Sequence, residues 1–321
     1  NAQKRVIEEI RNDMSEPFRM NRLLQGDVGS GKTLIAFLCM VTAIEAGGQA
    51  VIMAPTEILT KQHEDTLKPL AEKAGIVLES LSGRDKGKER KSKIEAIAAG
   101  KIQIIVGTHA VFQESIKYND LRLAIIDEQH RFGVRQRMDL GNKGDAVDIL
   151  IMTATPIPRS LALTNYGDME LSEVDEKPIG RKPINTVMVS SSRILEVIDR
   201  LKVAIETGNQ IYWVCPLVEE SEFLELTSAE DRANNLSKVL GKNNIGLVHG
   251  KMSGEEKDRV MSDFVDNKIK ILVATTVIEV GVDVPNATII VIEHSERFGL
   301  SQLHQLRGRV GRGADASTCL M

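Results

Sequence analysis

A glycine-rich stretch near the amino terminus combines residue types and spacing that bind phosphate groups. Residues 26–33 read Gly-Asp-Val-Gly-Ser-Gly-Lys-Thr and fit the pattern Gly-x-x-x-x-Gly-Lys-[Ser/Thr]. In such a loop the glycines let the backbone approach phosphate oxygens, the lysine reaches the outer phosphates, and the hydroxyl can hold Mg²⁺. The alternative is a glycine-rich turn that binds nothing. The residues predicted to bind a nucleotide are Gly26, Gly29, Ser30, Gly31, Lys32 and Thr33, with Thr33 also on the metal.

A second polar cluster, Asp127-Glu128-Gln129-His130, comes directly after four apolar residues. Asp127 can bind Mg²⁺ directly or through water, and Glu128 can orient and deprotonate an attacking water. Together with a phosphate loop, this pair is the minimum for metal-assisted hydrolysis of a phosphoanhydride. The alternatives are an ordinary acidic pair on the surface and, for His130, a structural histidine rather than one that couples the site to its neighbours.

Glycine-spaced arginines form a third cluster near the carboxyl end, where residues 307–312 read Arg-Gly-Arg-Val-Gly-Arg. Glycines have no side chain, so they leave the neighbouring guanidinium groups accessible. Arginines presented in this way can stabilise the charge on a transferring phosphoryl group. We expect this of Arg309 and Arg312, with a basic surface loop or a DNA contact as the alternative.

The elements that must position these clusters are strands that alternate with helices. Buried strands are expected at 22–25, 50–54, 102–106, 123–126 and 149–152, and helices at 2–11, 34–45 and 57–74. This alternation predicts a parallel sheet that binds its ligands at the carboxyl ends of the strands. The polar clusters of the first half follow such strands.

The second half of the chain repeats the first. Segments 48–55, 101–108 and 125–133 resemble segments 209–216, 268–275 and 291–299 in the same order. Self-similarity on this scale predicts two lobes of the same α/β fold, with chance similarity of apolar strands as the alternative. Two prolines and a glycine at 178–183 indicate a linker. We therefore expect a first lobe at 1–176, a linker at 177–184 and a second lobe at 185–321, which lacks a Gly-Lys-Thr loop.

Composition is that of an ordinary globular protein, with 42% hydrophobic and 27% charged residues and a net charge of −4. The charge argues against a protein that coats nucleic acid by bulk charge, but it is compatible with a local basic groove.

The basic run at 84–93 is expected to be a solvated loop and helix start, with a nucleic-acid contact as the alternative. Apolar runs are too short for a membrane span and the three cysteines are far apart, so we expect a cytosolic protein without a membrane partner.

The motifs, taken together, resemble those of the superfamily 2 helicase motor over essentially the whole chain. Residues 26–33 and 127–130 match the two Walker motifs, residues 274–283 resemble motif V, and residues 305–312 resemble motif VI. The resemblance implies two RecA-like lobes of the P-loop NTPase class, each a mostly parallel sheet flanked by helices. It also implies ATP and Mg²⁺ as cofactors.

Roles for further residues follow from the same resemblance. It implies that Gln3 reads the adenine base, and that Thr153, Thr155 and His130 couple hydrolysis to movement. Gly281 and Asp283 are implied to contact the nucleotide, and Gln305 to act in catalysis beside the arginines. The DNA contacts that it implies are Thr56, Thr108, His109, Thr275 and Thr276.

The longer runs at 127–134, 153–159 and 297–305 are more specific, and they resemble the DNA helicases that remodel stalled replication forks. Transcription-repair coupling factors share nearly all of them, but usually have a glutamate where this chain has Gln129. The resemblance implies ATP-driven translocation on branched or forked duplex DNA by a monomer, with a single-strand-binding protein as a partner of the full-length parent.

Two alternatives stay open beside that reading. One is an RNA helicase of the same superfamily, which Gln129 and the Arg-Phe-Gly runs weaken. The other is a piece of a longer protein that binds nucleotide and DNA without mechanical work, because the wedge domain and the Thr-Arg-Gly segment of the fork-remodelling helicases are missing from these residues.

Overall fold

The structure is a computed structural model that describes residues 2–27, 29–83, 85, 87–127, 147–154, 169–176, 182–216, 222–275, 282, 284–311, 313 and 315–321. It divides into two compact units, Asn1–Pro178 and Ile179–Met321. Among the helices of these ranges, none is long and apolar enough to cross a membrane.

The first unit is built on a parallel sheet whose described part has seven strands. Their order across the sheet is β3-β4-β2-β5-β6-β1-β7, so the first strand in the chain lies near one edge and the carboxyl ends of all strands share one side. The strands are β1 Asn21–Gly26, β2 Gln49–Met53, β3 Leu78–Leu81, β4 Ile104–Gly107, β5 Leu121–Asp127, β6 Asp148–Thr153 and β7 Glu170–Val174.

Helices cover both faces of this sheet: α1 Ala2–Ser15, α2 Lys32–Glu45, α3 Glu57–Lys73 and α4 Gly87–Ala98. Successive strand residues point to opposite faces, so Ala50 and Ile52 join the core under α1, α2 and α3, whereas Val51 and Met53 join a second core that includes Ile97 of α4. The central strands β2, β4, β5 and β6 are therefore largely apolar, as is typical of parallel strands covered on both faces.

The second unit has a parallel sheet with the strand order β10-β11-β9-β12-β13-β8 in its described part. Its strands are β8 Asn185–Val187, β9 Gln210–Val214, β10 Ile245–Val248, β11 Ile271–Ala274, β12 Ala287–Ile292 and β13 Thr318–Leu320. Its helices are α5 Ile194–Glu206, α6 Glu222–Leu240, α7 Gly254–Val265 and α8 Leu300–Arg307. At the start of α7, Ser253 and Glu256 form a capping box that satisfies two backbone donors.

A buried glutamine at the start of one central strand shows that the two units repeat one another. In the first unit, the Nε2 of Gln49 donates to the carbonyl oxygens of Ile97 at 3.0 Å and Ile102 at 2.6 Å. In the second unit, the Nε2 of Gln210 donates in the same way to Phe264 at 2.5 Å and to Ile269 at 2.8 Å. The amide thus joins each strand to the turn before its neighbouring strand, and the predicted α/β duplication is confirmed.

The two glutamines differ at the other amide atom. The Oε1 of Gln49 accepts from the backbone N–H groups of Asn119 and Asp120. The Oε1 of Gln210 is buried and has no hydrogen-bond partner among the described residues. Pro285 stands at the position that corresponds to Asn119, and a proline has no N–H to donate.

The short strands β3, β7, β8 and β13 and the helices α4 to α8 go beyond the elements predicted from the sequence. The basic run predicted as a loop and helix start leads into α4, which begins at Gly87. Within this region the Nζ of Lys93 contacts the carboxylate of Asp85 at 2.9 Å, and the Lys93 side chain is partly buried.

Candidate active site

The glycine-rich loop connects β1 to α2 and adopts a backbone conformation that only glycine accepts readily. Gly29 has φ of 80° and Gly31 has φ of 92°, both in the left-handed region. A Cβ atom at Gly31 would lie 2.2 Å from the Nε2 of Gln3, which is far inside contact distance. The glycines predicted from the motif are thus required by the fold of the loop itself.

Lys32 is the first residue of α2, and its side chain folds back over the loop. Its Nζ donates to the carbonyl oxygens of Gly26 at 2.6 Å and Asp27 at 2.9 Å. Gly31 caps the helix without a side-chain hydrogen bond, and the first turn contains no acidic residue. The ammonium group and the positive end of the helix therefore act at the same place, which suits a bound phosphate.

Gln3 reaches this loop from α1. Its Nε2 donates to the carbonyl oxygen of Ser30 at 2.8 Å. The Oγ of Ser30 is buried and has no hydrogen-bond partner among the described residues. A buried hydroxyl without a partner at a helix start is a donor suited to a phosphate oxygen, so the loop fits the nucleotide that the motif predicts.

Asp127 ends β5 and makes a contact that the motif did not reveal. Its Oδ2 lies 2.8 Å from the Nε2 of His63, a residue of α3. Both side chains are almost enclosed, with exposed fractions of 8% for His63 and 12% for Asp127. An ionised carboxylate only accepts hydrogen bonds, so the histidine must carry its proton on Nε2.

The order of the strands brings one set of predicted residues together. β5, β6 and β1 are neighbours, so Asp127, Thr153 and the phosphate loop lie at the carboxyl ends of three adjacent strands. Gln25 pairs with Thr153 in the register of β1 and β6, and Thr153 is buried. The candidates for metal binding, coupling and phosphate binding therefore lie on neighbouring strands, at the same end of the sheet.

The predicted DNA contacts of the first unit follow strands in the other half of the sheet. Thr56 comes after β2 and caps α3, where its hydroxyl accepts from the N–H of Leu59 at 3.3 Å. Thr108 and His109 come after β4, and His109 opens a 3₁₀ turn on the surface. These residues therefore follow β2 and β4, whereas the phosphate loop follows β1, and all of them lie at the carboxyl ends of the strands.

In the second unit the structure describes some of the predicted residues. Thr275 follows β11 and is 3% exposed, and Arg309 lies just beyond α8 and is 7% exposed. Gln305 is half-buried on α8 itself.

The predicted residues that lie outside the described ranges are Glu128, His130, Thr155, Thr276, Gly281, Asp283 and Arg312.

Glu293 follows β12 at the position that corresponds to Asp127. Its carboxylate accepts from two nitrogens of Arg232, at 2.5 and 3.1 Å, and also from the indole N–H of the buried Trp213. The guanidinium carbon of Arg232 lies 5.5 Å from the centroid of the Trp213 ring, which adds a cation–π contact. The sequence repeat pointed to Glu293, but it gave no signal for the arginine.

The phosphate loop follows the first strand of a parallel sheet, and an aspartate lies at the carboxyl end of another strand of that sheet. This arrangement defines a P-loop NTPase. The chain belongs to the DEAD/DEAH box helicase family, whose model matches residues 1–164, and the model of the helicase conserved C-terminal domain matches residues 193–314. The predicted resemblance to helicase motors and the predicted fold of two parallel-sheet lobes are confirmed.

The particular relatives are DNA helicases named RecG. The chain is 53% identical to the ATP-dependent DNA helicase RecG of Bacillus subtilis (strain 168) over 322 residues, and 53% identical to that of Escherichia coli (strain K12) over 325 residues. Each match covers 100% of this chain and 47% of the relative, so the chain spans about half the length of these proteins.

Solved structures agree with this placement. RecG bound to a three-way DNA junction is 47% identical, with a TM-score of 0.87 over 100% of this chain and 42% of that one. Dbp5 of S. cerevisiae bound to RNA and ADP BeF3 has a TM-score of 0.71 over 98% of this chain and 82% of that one, but at 17% identity it shows the fold alone.

Proposed function

We propose that this chain is the ATP-driven motor of a DNA helicase of the RecG type. In this proposal it couples ATP hydrolysis to translocation on branched or forked duplex DNA, for fork reversal and branch migration in recombination and repair. The observation that carries the proposal is the phosphate loop, in which Gly29 and Gly31 take the left-handed conformation and Lys32 folds back over the loop. The high identity to RecG over the whole chain supports the choice of DNA as partner.

The first lobe would bind the nucleotide and the metal. Lys32 would exchange its two carbonyl partners for phosphate oxygens, while the N–H groups at the start of α2 and the Ser30 hydroxyl hold the remaining phosphate oxygens. Thr33 and Asp127 would hold Mg²⁺, which commonly takes one or two protein ligands besides phosphates and water. The metal would supply charge neutralisation at the phosphates. Glu128 would orient and deprotonate the attacking water.

Other predicted residues keep their roles as part of this proposal. Gln3 would read adenine, and Gly281 and Asp283 would contact the nucleotide. Gln305, Arg309 and Arg312 would stabilise the developing charge in catalysis. The residues proposed for coupling are His130, Thr153 and Thr155, and those proposed for DNA are Thr56, Thr108, His109, Thr275 and Thr276.

The domain assignment belongs to the same proposal: lobes at 1–176 and 185–321 joined by a linker at 177–184. The division of the structure between Pro178 and Ile179 and the start of β8 at Asn185 support it. A monomer at the bacterial nucleoid, with single-strand-binding protein as a partner of the longer parent, completes the proposal.

Steady-state ATPase assays would test the function. The rate would be measured without nucleic acid and then with single-stranded DNA, duplex DNA, a model fork and single-stranded RNA. Stimulation by forked or duplex DNA with little effect of RNA is the expected result. A rate that no nucleic acid raises would reduce the proposal to a nucleotide-binding core, and stimulation by RNA alone would overturn the choice of DNA.

A further inference from the structure

The contact between His63 and Asp127 links a helix outside the recognised nucleotide motifs to the proposed metal ligand. α3 follows β2, and β2 is the sheet neighbour of β5, which ends in Asp127. The 2.8 Å hydrogen bond from the Nε2 of His63 ends on Oδ2 of the carboxylate. Among the described residues, no hydrogen bond is made to the other oxygen, Oδ1.

The hydrogen-bonded pair is largely shielded from solvent. His63 is 7% exposed as a residue, and it lies on the face of α3 that also buries Leu59 and Leu67. A histidine fixed in this way directs one oxygen of Asp127 and leaves the other available. Partners of this kind orient metal ligands and typically change metal affinity by about 10- to 100-fold when they are removed.

In the second unit, an arginine contacts the carboxylate that corresponds to Asp127. There α6 follows β9, the neighbour of β12, and its Arg232 binds the carboxylate of Glu293, which corresponds to Asp127. Both oxygens of Glu293 accept from this guanidinium, and one also accepts from Trp213. The same helix-to-carboxylate contact therefore occupies both oxygens of the carboxylate in one lobe and only one in the other.

We propose that His63 is a positioning residue for the metal site: it holds Oδ2 of Asp127, which would leave Oδ1 available to bind Mg²⁺. This inference rests on the proposed function, because it assumes that Asp127 serves the metal. It assigns a role to a residue of α3 that acts through Asp127. The role requires a hydrogen-bond donor of limited charge, since a guanidinium would occupy both oxygens.

The test uses equilibrium binding of a fluorescent ADP analogue at increasing Mg²⁺, which needs no turnover, together with the Mg²⁺ dependence of ATPase activity. His63→Leu removes the donor at similar volume, and the Mg²⁺ concentration for half-maximal effect is expected to rise about 10-fold or more in both measurements. His63→Gln keeps an amide donor and should show a clearly smaller rise. Nucleotide binding without Mg²⁺ should be unchanged in both variants.

Matched controls separate positioning from packing. Thr60→Val removes a buried hydroxyl one turn earlier on α3, where Thr60 donates to the carbonyl of Thr56, and it should leave the Mg²⁺ dependence at its wild-type value. Arg232→Leu disrupts the corresponding contact in the second lobe and should lower the melting temperature without moving the Mg²⁺ dependence.

Two results would overturn the role of His63. One is an unchanged Mg²⁺ dependence in a folded His63→Leu variant, and the other is an equal loss at every Mg²⁺ concentration, which a purely structural role would give. The proposed function would fail differently, because the wild-type chain itself would then show no effect of Mg²⁺ on nucleotide binding.

Discussion

Gly31→Ala tests the phosphate loop most directly, because Gly47→Ala provides a matched control at the other end of the same helix. Gly31 has φ of 92° and Gly47 has φ of 91°, so an added methyl group meets nearly the same backbone strain at both positions. The left-handed conformation costs an ordinary residue about 1–2 kcal/mol. Only the surroundings differ, since the new Cβ would be 2.2 Å from Gln3 at position 31 and would have nothing within 4 Å at position 47.

The expected free energies of unfolding follow from that difference. Gly47→Ala should lose about 1–2 kcal/mol from the conformation alone. Gly31→Ala should lose about 1 kcal/mol more, because the methyl group displaces the Gln3 amide from the carbonyl of Ser30. Each kilocalorie corresponds to roughly 2–4 °C in melting temperature for a unit of this size.

Calorimetric melting and nucleotide binding measure the two consequences separately. Nucleotide affinity should fall by about tenfold or more in Gly31→Ala, since relief of the strain rotates the peptide groups that meet the phosphates, and should be unchanged in Gly47→Ala. In the background of Gln3→Ala the extra loss at position 31 should shrink, because the clash is gone. Equal melting temperatures for the two alanine variants, with intact nucleotide binding in both, would refute this account of the loop.

The remaining predictions concern catalysis, pH and thiol chemistry. Lys32→Ala should abolish ATP hydrolysis and weaken ATP binding, and unchanged hydrolysis would remove the phosphate-loop assignment. Arg312→Ala should spare ATP binding but slow turnover, whereas a loss of DNA binding alone would contradict its proposed catalytic role. Burial raises the pKa of Asp148 from 3.8 to about 6. The folded state therefore holds the proton more tightly, and this contribution to stability is present below about pH 4 and is lost as pH rises through about 6. Since the group is partly exposed, chemical denaturation should show a loss of at most about 1 kcal/mol. Asp148→Asn should lack this loss because an amide does not titrate, while its oxygen can still accept from the N–H of Met20. Burial also raises the pKa of the thiols of Cys39 and Cys215 to about 12 and of Cys319 to about 11, so alkylation of the native chain at about pH 8 should be far slower than alkylation after unfolding.

The sequence predicted the central strands because each is a run of apolar residues covered on both faces. It did not predict β7, whose residues alternate between buried and exposed in the order Glu-Leu-Ser-Glu-Val. Ser172 of this strand is buried because it accepts from Arg22 at 2.8 Å and donates to Glu9 at 2.5 Å. These partners lie about 150 residues away along the chain, so no local pattern could reveal them.

The candidate site divides in the same way. The phosphate loop was predictable because all of its requirements lie within eight consecutive residues. The contact of His63 with Asp127 was not, because it spans 64 positions and depends on β2 and β5 being neighbours. Hydrophobic periodicity predicts strands, but it does not fix their order, and the order decides which polar residues meet.

Comparison of the two lobes shows why a duplicated fold can keep a single predicted metal site. Both lobes place a carboxylate at the end of a central strand, and in both a side chain from the helix after the neighbouring strand contacts it. In the second lobe Arg232 binds both oxygens of Glu293, and the two side chains are 23% and 14% exposed. Because this ion pair is largely shielded from water, removal of either partner should destabilise the fold. In the first lobe His63 contacts one oxygen of Asp127. If Asp127 binds Mg²⁺ as proposed, the difference between this carboxylate and the ion-paired carboxylate of Glu293 rests on the residue that one helix contributes.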